Sequence, residues 1–96
     1  MGKTKKLTLI EGSFSAKDSR EILMSVFMSK LHFHETKNFS SKERFGKVDE
    51  LANIKIPQLK NSMKVLDEFL AKAEENEEYI IMKSEINIKS VKLKDV

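Results

Sequence analysis

Along residues 79–89, Ile80, Met82, Ile86 and Ile88 occupy alternate positions, and Lys83, Glu85, Asn87 and Lys89 fall between them. Side chains of a strand alternate between its two faces, so this segment has one apolar face and one polar face. Such a strand belongs to a sheet that is covered on one side and wet on the other. The chain must therefore supply a helical layer to cover it, and the 96 residues are enough for only one domain. Val91 and Leu93 are out of step with Ile86 and Ile88, which predicts a bulge or the strand end near Lys89 and Ser90.

Residues 7–14 read as a second strand. Simple alternation puts Leu7 and Leu9 on one face, with Ile10 and Phe14 on the other. Gly12 inside it suggests a bulge or a close backbone approach.

A helix is predicted over residues 16–35, with Ser15 as N-cap and Asp18 three residues on. At 100° per residue, Ile22, Leu23, Met24, Val26, Phe27, Met28 and Leu31 span more than about half the circumference. A surface helix needs an apolar stripe only somewhat wider than about 100°, so this one is expected to be covered on two sides. Met24, Phe27, Met28 and Leu31 are the candidate dimer or partner surface.

Asn38, Phe39, Ser40 and Ser41 break the pattern. Ser40 followed by Glu43 predicts a new helix start, with Phe45, Val48, Ala52, Ile56, Leu59, Met63, Leu66, Leu70 and Ala73 as its apolar positions. From Ile56 the spacing alternates three and four, the seam by which helices pair. Pro57 lies in that run and predicts a kink or a split. The acidic run at Glu74, Glu75, Glu77 and Glu78 marks an exposed corner at the helix end.

The expected fold is α+β, a small two-layer β-α-α-β domain. Its two-stranded antiparallel sheet packs on two or three helices, with the second helical region kinked or split at Pro57. The expected division is a basic tail over residues 1–6, a domain over 7–93 and a short tail over 94–96. A lone two-stranded sheet is marginal and has unpaired edges, so extension of the sheet in a homodimer is expected.

Charge is distributed unevenly. The chain carries +3 overall, but residues 1–6 carry +3, residues 89–96 carry +2 and residues 7–88 carry −2. If the strands are antiparallel, Lys3, Lys5, Lys6, Lys89, Lys92 and Lys94 converge on one sheet edge.

Ser40, Ser41, Lys42, Arg44 and Lys47 form a candidate anion site, because a helix start at Ser40 would offer free backbone N–H groups among basic side chains. Gly46 in that first turn would cost about 1 kcal/mol relative to alanine, which suggests close packing. His32 and His34 lie some 200° apart on a helix and cannot share one metal ion there. With no cysteine, no paired carboxylates on a non-helical scaffold and no glycine-rich phosphate loop, no catalytic residue, metal site or cofactor is assigned. No apolar run reaches the roughly 18–20 residues that span a bilayer, so no membrane role is expected and the cytoplasm is the default location.

These features favour a non-enzymatic homodimeric interaction module, with a protein partner possible. One alternative is nucleic-acid or polyanion binding through the tail lysines and the start of the second helix. Another is a small enzyme or ligand-binding domain with a site near Ser41, Arg44 and His34.

Overall fold

The structure is a computed structural model that describes residues 2–95. Met1 and Val96, the outermost residues of the two expected tails, lie outside the described residues. The order is β1 (Thr4–Phe14), α1 (Ala16–Phe45), α2 (Glu50–Glu75) and β2 (Ile80–Lys89), followed by a short 3-10 turn over Leu93–Asp95. The chain is a small α+β domain of β-α-α-β order, with one antiparallel two-stranded sheet and two helices. Because β1 begins at Thr4, Lys5 and Lys6 belong to the sheet rather than to a tail.

The strands pair from Thr4 opposite Lys89 to Phe14 opposite Ile80. Thr8 stands opposite Glu85 and Ile10 opposite Ser84, so Leu9 is one extra residue in β1. That bulge shifts the side-chain alternation by one position. Lys5 and Leu7 before it therefore share a face with Ile10, Gly12 and Phe14 after it, beside Ile80, Met82, Ser84, Ile86 and Ile88. The expected split of Leu7 from Ile10 and Phe14 is corrected, and both strands of the ribbon are one-sided. The opposite face is polar, with Lys6 3.2 Å and Lys83 3.5 Å from the Glu85 carboxylate. Gly12 is not the bulge. It holds φ at 146°, a conformation that residues with a side chain rarely adopt, and a Cβ there would meet only the Phe14 ring at an ordinary 3.4 Å.

Ser15 caps α1, its hydroxyl accepting the Asp18 amide at 3.0 Å. The helix then runs without interruption to Phe45, so the expected break at residues 38–41 is absent. The polar residues that predicted it hold the interhelical turn instead. Asn38 Oδ1 accepts the Asp49 amide at 3.0 Å, and Ser41 Oγ donates to the Lys47 carbonyl at 2.9 Å. Gly46 is the left-handed residue that ends α1, with φ 68° and its N–H on the Lys42 carbonyl. Asp49, not Ser40, caps the second helix, accepting the Ala52 amide at 2.9 Å. Pro57 is inside α2 and does not split it. Its ring is exposed, so the Asn53 carbonyl that loses a partner there can turn to water.

The helices form an antiparallel hairpin about 45 Å and 39 Å long at 1.5 Å per residue. The shielded positions of α1, among them Leu23, Phe27, Leu31 and His34, recur at three- and four-residue steps. Those of α2 are Ala52, Ile56, Leu59, Met63, Leu66, Leu70 and Ala73, the seam read from the sequence. An Arg20–Asp67 ion pair joins the two helices. Helices and sheet meet in one small core of Ala16, Leu70, Ala73 and Ile80, with Leu66 and Met82 packed against it.

Candidate interaction surface

The apolar face of the ribbon is divided by where its cover stops. Near the helices Ile10 and Ile80 are buried, and Phe14 and Met82 are half-buried. Toward the other end Leu7, Ile86 and Ile88 are 52%, 39% and 49% exposed, and Leu9 in the bulge is 50% exposed. Half of an apolar sheet face is thus uncovered within the chain. Val91 and Leu93, beyond the end of β2, are also exposed.

The molecule is extended as a result. It measures 50 × 36 × 15 Å with a radius of gyration of 17.2 Å. A compact domain of this length has a radius near 12–13 Å.

The antiparallel register brings the tail lysines together. Thr4 pairs with Lys89 and Lys5 with Ile88, while the Ser90 amide donates to the Lys3 carbonyl at 2.8 Å. Lys3, Lys5, Lys6 and Lys89 therefore gather at the free end of the ribbon. At the other end of β2 the exposed residues Glu74, Glu75, Glu77 and Glu78 form an acidic corner. Ten residues of strand at about 3.3 Å each separate the two charges by some 30 Å.

The residues singled out in the sequence do not form one surface. Phe27 is half-buried and Leu31 buried on the α2-facing side of α1, while Met24 is half-buried and Met28 is exposed. The apolar arc is wide because its middle packs on α2 while both flanks are open, Val26 and Phe33 on one and Met28 on the other. On α2 a row of Leu51, Ile54, Val65 and Phe69, flanking the seam on one side, is also exposed.

Ser40, Ser41, Lys42 and Arg44 occupy the last turns of α1, with Lys47 just past its end. They sit at the negative end of a helix dipole, where lysine and arginine are favoured, and not at the positive end from which an anion site was expected. Gly46 is correspondingly a helix terminator and not a first-turn packing residue. Ser41 and Arg44 line a shallow depression with Lys37, Ser40, Phe45 and Asp49, and His34 is not part of it.

His34 is buried between the helices and meets the edge of Phe33 at 5.3 Å between ring centroids. Neither of its ring nitrogens has a hydrogen-bond partner among the described residues. His32 is exposed on the opposite side of the helix. Among the described residues no three His, Cys, Asp or Glu side chains are gathered as a metal-binding group, and no helix is long and apolar enough to cross a membrane.

Compared with protein-family models, with curated proteins and with solved structures, the chain matches none of them.

The uncovered half-face was not visible in the sequence, because it depends on where the helices stop over the sheet. The convergence of the lysines was visible, since it follows from antiparallel pairing alone.

Proposed function

We propose that the chain is a non-enzymatic interaction module that works as a homodimer, a second copy closing the uncovered half of the sheet. The observation that carries this reading is surplus surface. The chain exposes 8011 Å². A compact monomer of its mass exposes about 5,700 Å². The surplus is about 2,300 Å² per chain, and an obligate dimer removes roughly 1,000–2,500 Å² from each partner. The marginal stability of an isolated two-stranded ribbon points the same way. Light scattering on the purified chain at micromolar concentration tests it. Twice the chain mass is expected, and a monomer would overturn the reading.

A second reading, binding of nucleic acid or another polyanion, is favoured by the gathering of four lysines at the ribbon tip. Its test is the salt dependence of binding to a short DNA duplex. Each phosphate contact adds about 0.9 to the log–log slope. Substituting Lys3, Lys5, Lys6 and Lys89 by Ala would then flatten the slope, and unchanged binding would exclude the tip.

A further inference from the structure

We infer that the second copy joins at the free edge of β2, antiparallel about Ser84, to give a continuous four-stranded sheet of order β1-β2-β2-β1. The inference rests on the homodimer proposed above and specifies its interface.

Two edges of the sheet are free, and they are not equivalent. β1 carries the Leu9 bulge and the left-handed Gly12, irregularities that impede edge pairing. β2 is a regular strand of ten residues whose only partner among the described residues is β1. A two-fold axis through the β2 edge makes a closed, self-complementary contact.

The register follows from side-chain parity. For the two apolar faces to join, even-numbered residues of one β2 must face even-numbered residues of the other. The centre is then a residue that faces its own copy, and mid-strand this is Ser84 or Glu85. Centring on Glu85 opposes two like carboxylates and sets Ser84 against Ile86. Centring on Ser84 sets Ile80 against Ile88 and Met82 against Ile86 on the apolar face. On the polar face it sets Lys83 against Glu85, twice by symmetry. Apolar and opposite-charge pairs directly across an antiparallel ladder are the stabilising ones, and like charges destabilise. Ser84 is the centre that satisfies both faces.

Two features outside the strand agree with this arrangement. Lys89 of one copy comes opposite Tyr79 of the other, which brings the basic tip beside the acidic corner of Glu77 and Glu78. The helices of each copy also stand at the end of the sheet where the other copy's Leu7, Ile86 and Ile88 are uncovered.

The chain has no cysteine, so single cysteines report the geometry directly. Residues directly opposite in an antiparallel ladder have Cα atoms about 4.5–5.5 Å apart, within the range a disulfide bridges. In the Ser84-centred register the two Ile88 positions are about eight residues apart along the strand, some 26 Å. Ser84→Cys is close to isosteric and is expected to form a covalent dimer on mild oxidation, while Ile88→Cys does not. Lys83→Glu, at an exposed position, is expected to weaken the dimer about tenfold by making two pairs repulsive. A wild-type dimer in which Ser84→Cys links no faster than Ile88→Cys would overturn the edge assignment and leave the dimer standing. A monomeric wild-type chain would overturn both.

Discussion

Asn38 reaches across the helical hairpin to Asp49, its Oδ1 accepting the Asp49 amide at 3.0 Å. Asp49 in turn caps α2 through its own carboxylate, on the Ala52 amide. The end of one helix thus positions the residue that begins the next. Asn38→Ala removes the acceptor and leaves a partly buried N–H without a protein partner. The expected loss is about 1–2 kcal/mol, read as a lower urea midpoint with an unchanged slope. Ser41→Ala, which frees only an exposed bond to the Lys47 carbonyl, is expected to cost less than Asn38→Ala.

The same residues explain why α1 runs ten residues beyond its expected end. Asparagine and serine compete locally with a helix by bonding nearby backbone. Here the groups that would end the helix bond residues 47 and 49, so tertiary contact overrides local preference. Gly46 marks a helix boundary in the sequence, but a lone glycine does not say on which side of it the helix lies. β2 is legible nearly to the residue, since its alternation is regular and one face is polar from Lys83 to Lys89. The β1 faces were not legible, because a bulge is a property of pairing and leaves no mark of its own in the sequence. For the candidate surface, the charged ends could be read and the uncovered apolar half could not.

Glu77 follows the end of α2 with φ 54°, a left-handed conformation that costs a side-chain-bearing residue. It also adds negative charge at the negative end of the helix. Glu77→Gly is expected to stabilise the chain by about 0.5–1 kcal/mol, seen as a higher midpoint in urea. A lower midpoint would show that the Glu77 side chain is stabilising in a way its exposed position does not suggest.

His34 is 3% exposed and has no protein hydrogen bond at either ring nitrogen. A buried polar group without a partner costs about 1–3 kcal/mol. His34→Leu keeps much of the volume and removes the polar atoms, so a gain of about 1 kcal/mol or more is expected in thermal or urea unfolding. A loss of stability would indicate that water or a partner satisfies the imidazole in solution.

Leu9 tests the logic of the two edges. Deleting it leaves Thr8 opposite Glu85 and Ile10 opposite Ser84, now as neighbours in a regular strand, and every other pair is unchanged. The apolar and polar faces keep their membership, so the variant is expected to fold with thermal stability close to that of the parent. What changes is the β1 edge, which loses the irregularity that discourages pairing. With β2 joined to its copy, a β1 edge freed of its bulge, irregular only at Gly12, permits assembly beyond the dimer. Light scattering is expected to show masses above two chains that grow with concentration. A Leu9 deletion that folds and stays dimeric would mean that the bulge does not protect the β1 edge.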